Sequence, residues 1–394
     1  MGMRKFFLLL NLLLAAVCLN GCWSRVEVND IAIVTATGLD VAENGKIRLS
    51  LMLAIPRLIG SGSAQSGSES KIETSAAWVV SEEGDTIMDT YRSLQEKLPR
   101  KIFFAHSRLL VIGQALAVRG IEPYLDFFER YRQSQLKSFL VVSKTTASDV
   151  LNFKSKFEKL PSEVLKEEMK QELIPKVRLI DFVNMLTSEG EEPFTPIVEI
   201  VPSETGKSGM NNLSVTGLAV FRRSSMVGQL DSKQGRGAMW VRNRVKEGVI
   251  TIEVPKSAGA GKISAELEDV KVKRRLSVRD DRLFVRLVIN IDENIYENTS
   301  SIDLNKSRNV NYVQGLMKED IEERIQEASR KVQQEYKSDI FGFGQSLYRQ
   351  DPKKWKREFR SRWPDMFPKT VISVEIHVNV LRTGLTNRVI RVEE

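Results

Sequence analysis

The chain has 394 residues, 42% of them hydrophobic and 28% charged, with a formal net charge of +8. That balance excludes a disordered polyelectrolyte and suits a folded polypeptide of two or three domains. With only two cysteines, Cys18 and Cys22, a disulfide-stapled framework is excluded as well, so hydrophobic cores must hold the fold.

At the N-terminus, Arg4 and Lys5 precede an almost purely apolar run from Phe6 to Leu19. Small Gly21 follows, and after Cys22 the chain turns polar within a few residues. These are the parts of a bacterial export signal, and the run is short for a membrane span of about 20 apolar residues. Leu19, Asn20, Gly21 and Cys22 resemble a lipobox, in which the cysteine thiol takes a diacylglyceryl group before cleavage on its N-terminal side. Asn20 is an uncommon occupant of its place. Cleavage there removes Cys18 with Arg4 and Lys5, leaving one cysteine and a charge of +6. Two acyl chains, at about 0.8 kcal/mol per buried methylene, make a durable tether. The expectation is a signal peptide over 1–21, followed by mixed α/β domains outside the membrane and moored by Cys22. A positive excess suits an anionic lipid surface. Nucleic acid is not expected, because zinc-ligand spacing and RNP-like strands are missing and the cations are interspersed with acids.

Ile31–Leu39 and Ile47–Ile55 read as strands around a turn at Asn44-Gly45. In the second, Ile47, Leu49, Leu51, Leu53 and Ile55 alternate with other residues, Arg48 and Ser50 among them, which predicts one apolar and one partly polar face. The Gly/Ser-rich stretch 60–70 reads as a surface loop. A short strand at Trp78–Val80, a helix over Asp85–Leu98 and a buried strand within Phe103–Ile112 come next. They are followed by a helix over Ile121–Tyr131 and a strand at Phe139–Val142. Ala147–Leu173 is charged and helical, broken at Pro161, and Arg178–Leu186 is another helix. A regular βαβ repeat is not apparent.

Pro193, Pro196, Pro202, Gly206 and Gly209 cluster within 190–212, where the main boundary is expected, dividing an N-terminal domain (22–202) from a C-terminal one (210–394). Beyond it, strands are expected at Leu213–Arg222, Val227–Leu230, Gly248–Val254, Ile263–Val272, Leu283–Asp292 and Val371–Leu381. Val313, Leu316, Met317, Ile321, Ile325, Ala328, Val332 and Tyr336 mark a long amphipathic helix lying across that sheet. The predicted class is α+β.

Chemistry is sparse. His106 and His377 are the only histidines and neither has a cysteine or second histidine nearby in sequence, so no metal is expected. Gly259-Ala260-Gly261-Lys262 imitates a Walker loop, but Lys256 stands where the first glycine belongs and Ile263 where a hydroxyl belongs; it reads as a turn before a strand. Acid pairs such as Asp280-Asp281 and Glu191-Glu192 read as loop solvation. Catalytic and cofactor-binding residues are therefore not expected, and neither is enzymatic activity.

After the long helix, Asp339-Ile340-Phe341-Gly342-Phe343-Gly344 interleaves glycines with aromatics, and Trp355 and Trp363 follow. Read from its residues, this hexapeptide is either a partner-docking surface, with Phe341 and Phe343 partly exposed, or a structural turn that buries them. The run resembles the C-terminal domain of the Ger(x)C lipoproteins, the C subunits of the nutrient germinant receptors of bacterial endospores. Cys22-Trp23 with Arg25, Glu27 and Asn29, then Ile31 to Val34 and Gly38-Leu39-Asp40, resemble the start of the mature family. Thr216 to Phe221 with Val227 to Leu230, and Glu297 ahead of the long helix, resemble its C-terminal domain. The resemblance implies a receptor of A-type and B-type integral membrane subunits, with the lipid-anchored C subunit on the outer face of the spore inner membrane. It implies a non-enzymatic role in nutrient-triggered germination. The alternative is a lipid-anchored solute-binding protein passing a nutrient to a transporter-like partner, for which the missing βαβ alternation speaks poorly.

Overall fold

The alternation along Ile47–Ile55 does become a strand, but one buried on both faces, and this organises the first half of the molecule. The computed structural model describes residues 2–4, 6, 30–55, 76–131, 135–154, 160–170, 175–202 and 211–384. The lipobox residues Leu19, Asn20, Gly21 and Cys22 and the expected loop 60–70 lie outside the described residues. Strands β1 (Ile31–Val41), β2 (Ile47–Ala54) and β3 (Ala77–Gly84) form an antiparallel meander. Its first turn is closed by the Asn44 side chain, which accepts the Lys46 backbone N–H at 2.9 Å. β4 (Lys101–Phe103) and β5 (Leu109–Gly113) both pair parallel to β1. β6 (Phe139–Ser143) and β7 (Phe194–Pro202) extend the parallel centre. β8 (Asn211–Arg222) and β9 (Ser225–Asp231) return antiparallel. The spatial order is β3-β2-β1-β5-β6-β7-β8-β9, with β4 beside β1.

The parallel centre is built from two consecutive βαβ crossovers, which the sequence did not show as a regular repeat. β5 reaches β6 through α2 (Gln114–Arg119) and α3 (Glu122–Arg130). β6 reaches β7 through α4 (Ala147–Asn152), α5 (Pro161–Lys170) and α6 (Leu179–Thr187). Two of these helices, α2 and α4, have only six residues, too few for a 3.6-residue period to stand out. Together with α1 (Ile87–Lys97), the helices α2, α3 and α6 bury one face of the sheet, while α4 and α5 bury the other. Ser50 is therefore fully buried, its hydroxyl satisfied by Ser81 at 2.8 Å, where a half-exposed strand was expected.

The second sheet comprises β10 (Val249–Glu253), β11 (Lys262–Arg279), β12 (Arg282–Asn298) and β13 (Val371–Arg382), in that order. The first three are antiparallel, and β13 lies parallel to β12. β11 and β12 outrun their expected lengths because their apolar residues face the core while Lys271, Lys273, Arg275 and Arg286 stand on the open face. α8 (Ser307–Arg330) packs across this sheet as its periodicity demanded, with Val313, Met317, Ile321, Ile325 and Ala328 at 1% exposure or less. It runs on into a π-helical turn over Lys331–Tyr336. The glycine run before β11 is a turn, with φ +125° at Gly259 and +98° at Gly261.

α7 (Ser232–Val241) had no counterpart in the sequence reading. Its capping box was legible, since Asp231 accepts the Gln234 backbone N–H at 2.9 Å. Trp240 at its end is fully buried, and one apolar core continues from the first sheet through α7 to α8 and the second sheet. The sheets change over after Asp231, and Pro202 and Asn211, which flank the stretch where the boundary was expected, pair as the ends of β7 and β8. Among the described residues no helix is long and apolar enough to cross a membrane.

Candidate functional site

The hexapeptide sits where α8 ends. Lys337 adopts a left-handed conformation after the π-turn, and Ser338 then donates its hydroxyl to the Phe221 carbonyl in β8. Asp339 is buried, and its carboxylate accepts the backbone N–H groups of Phe343 (3.2 Å) and Gly344 (2.9 Å). It thereby caps α9 (Phe343–Gln350), satisfying donors that the first turn leaves open. Gly342 supplies the bend at φ +68°, where a β-carbon is disfavoured. Phe341 and Phe343 are 1% and 0% exposed, their rings 5.2 Å apart and both within 6.4 Å of Phe367. That burial is the outcome expected of a structural turn.

The turn is bolted to a loop of the first half that read as mere solvation. Glu192 donates its backbone N–H to the Asp339 carbonyl at 3.1 Å, and Gln345 donates to the Gly190 carbonyl at 2.9 Å. Gly190 and Gly344 cross at backbone contact: a β-carbon on Gly344 would stand 2.6 Å from the Gly190 carbonyl oxygen. The Trp355 indole N–H reaches Glu189 at 3.0 Å, and Arg360 pairs with the same carboxylate at 3.1 Å. Trp355 and Phe359 are both buried.

Two arginines complete the junction. Arg242, just past α7, bonds Glu191 at 2.7 Å and the Ile340 carbonyl, and its guanidinium lies 4.8 Å from the centre of the Phe194 ring. Arg274 on β11 donates to the Phe341 carbonyl at 2.9 Å and to Ser346 at 2.6 Å. Burial pushes the Asp339 carboxyl up to about 7, with Glu191 acting the same way and the two backbone N–H groups opposing. Glu192 is raised too, chiefly by burial, against its bond from the Arg223 backbone N–H.

Of the residues singled out from sequence, Asp339, Phe341, Gly342, Phe343 and Gly344 all meet at this junction. His377 is exposed and 3.1 Å from Glu375. Among the described residues no group of three or more His, Cys, Asp or Glu is placed to hold a metal. Glu191, read from sequence as loop solvation, is a buried ion-pair partner, and Arg242 and Arg274 escaped the sequence reading. For Arg274 a signal existed: it interrupts the alternation Val270, Val272, Leu276, Val278 on the core-facing side of β11. A charge at such a position needs a buried partner. Beside the junction opens a cleft of about 530 Å³, with Phe194, Phe341 and Met185 among its apolar walls and Arg242 and Arg274 among its cations. What the arrangement offers is fixed positive charge.

Residues 24–200 match the family described as "Spore germination protein N-terminal domain", and residues 216–384 match "Spore germination B3/ GerAC like, C-terminal". The chain is 26% identical to the putative spore germination protein YfkR of Bacillus subtilis, over 93% of this chain and 92% of that one. It is 25% identical to spore germination protein KC of Bacillus subtilis over 98% of each, and 22% identical to spore germination protein GerQC of Bacillus cereus over 98% of this chain and 100% of that one. In fold it is similar to the crystal structure of the GerBC protein, with a TM-score of 0.56 at 15% identity, covering 88% of this chain and 97% of that one.

Proposed function

Because the chain belongs to the GerAC family of spore germination proteins, whose members are germinant-receptor C subunits, we propose that it works as the lipid-anchored C subunit of one receptor. In this reading acylated Cys22 holds the body on the outer face of the spore inner membrane, where it contacts A-type and B-type integral membrane subunits. It acts through those contacts and catalyses nothing. The observation that carries the reading is the pair of family matches, which follow each other in order over 24–384 and begin two residues after the lipobox cysteine.

Cys22→Ala tests the tether. The variant is expected to fold with an unchanged melting temperature, to be lost from spore membranes and to respond weakly to nutrient. Normal retention and response would remove the acyl anchor from the mechanism. Affinity capture of the unmodified protein from spore membranes tests the partners, and failure to recover A- and B-type subunits would count against the complex.

A further inference from the structure

Cations dominate the cleft beside the junction. Lys176, Arg242, Arg244, Lys246, Arg274 and Arg349 line it, against two carboxylates among the described residues, Asp181 and Glu191. Both acids are already engaged: Glu191 pairs with Arg242, and Asp181 accepts the Arg178 backbone N–H at the start of α6. Exposed Arg244, Lys246 and Arg349 form no salt bridge with a described carboxylate. Arg242 and Arg274 are pinned by the Ile340 and Phe341 carbonyls, so their guanidinium planes are set before any ligand arrives. Like charges held together on a concave wall raise the local potential, and arginine forks match the geometry of carboxylate and phosphate. A volume of about 530 Å³ is that of a small-molecule site, and buried Phe194 and Phe341 are among the residues that line it.

The geometry points to a binding site for a small polyanion carrying two or more carboxylate or phosphate groups, held between the α6 side contributed by the first half and the Arg244–Lys246 loop of the second. The inference goes beyond the receptor-subunit reading and does not depend on it. Because both halves of the molecule line the cleft, an occupant ties them together and stabilises the junction.

The test is calorimetric titration of the full chain in detergent with citrate, pyrophosphate and acetate at constant ionic strength. Saturable binding of citrate, pyrophosphate or both is expected, roughly tenfold or more tighter than acetate. The preferred anion then tells carboxylate from phosphate recognition. The double variant Arg244→Glu/Lys246→Glu should weaken binding by roughly tenfold or more, while Lys273→Glu on the open face of the second sheet should not. Arg244 and Lys246 are exposed, so the unliganded melting temperature should hold; if it falls, Arg349→Ala replaces that variant and should show a smaller loss of affinity. No saturable binding of either polyanion, or affinity indifferent to these cleft variants, overturns the proposal. Binding of a polyglutamate peptide without binding of citrate or pyrophosphate overturns it too, since the cleft would then serve an acidic protein segment.

Discussion

Glu293 is a carboxyl buried without a hydrogen-bond partner for either oxygen among the described residues. It lies on β12, close to where the β11–β12 register slips between Leu267 and Asp269. Burial alone pushes its carboxyl up to about 7. An acid whose pKa is higher folded than unfolded keeps its proton in the native state. Its stabilising contribution is therefore complete below the unfolded value of 4.5 and disappears as pH rises through about 7. Asp339 has the same sign, starting from 3.8. The protein should accordingly be more resistant to urea at pH 5 than at pH 8. Glu293→Gln removes one source and should reduce that difference by about 3 kcal/mol, chiefly by raising stability at pH 8. Equal pH dependence in variant and parent would show that Glu293 is solvated. The glycines at the junction allow a ranking. Gly190→Ala puts a β-carbon 2.5 Å from the Trp355 ring and 2.6 Å from the Gly344 carbonyl carbon, at φ +70°. Gly342→Ala suffers only the strained φ, since its nearest neighbour, a Glu191 oxygen, is 3.4 Å away. Loss of about 1–3 kcal/mol is expected at Gly342, more for valine than for alanine, and a larger loss at Gly190. Melting temperatures in the reverse order would show that the crossing can open.

At the scale of elements, the 188–192 loop and the turn before α9 behave as one unit, because the hydrogen bonds of each end on the other. Arg242 is central: with side-chain exposures of 11% and 5%, it and Glu191 form a nearly buried pair. Removing one partner strands the other in low dielectric, at a cost of about 3–5 kcal/mol. Arg242→Met should therefore destabilise strongly, while Arg242→Met with Glu191→Gln should recover part of the loss. A double-mutant cycle read by urea denaturation checks this, and strictly additive effects would deny the coupling. Much of this unit was legible in the chain. Alternating Phe and Gly after Asp339 marked the turn, and Arg274 stood out of phase in its strand. The loop's acids were not legible as partners, because nothing local distinguishes a solvated Glu191 from a buried one.

For the whole molecule, the shared core decides how it comes apart. Trp240 and its neighbours belong to one apolar cluster reaching from the first sheet to α8, and Ser338 and Glu192 add hydrogen bonds across the same divide. Two sheets welded in this way should melt in a single calorimetric transition with its van't Hoff and calorimetric enthalpies equal, although the family matches divide at 200 and 216. Two resolved transitions would mean that the junction is a docking contact between independent folds.

Periodicity and local chemistry alone determined the α+β class, nearly every strand, the long helix α8 and the position of the turn at 339–344. Each of these depends on residues a few places apart. Tertiary structure alone decided that β8 and β9 stay with the first sheet, that the sheet's centre is parallel and covered on both faces, that the 188–192 loop seals the turn, and that Glu293 is buried without a partner. Those outcomes depend on which distant segments exclude water from one another, and a one-dimensional pattern of side chains does not encode that pairing.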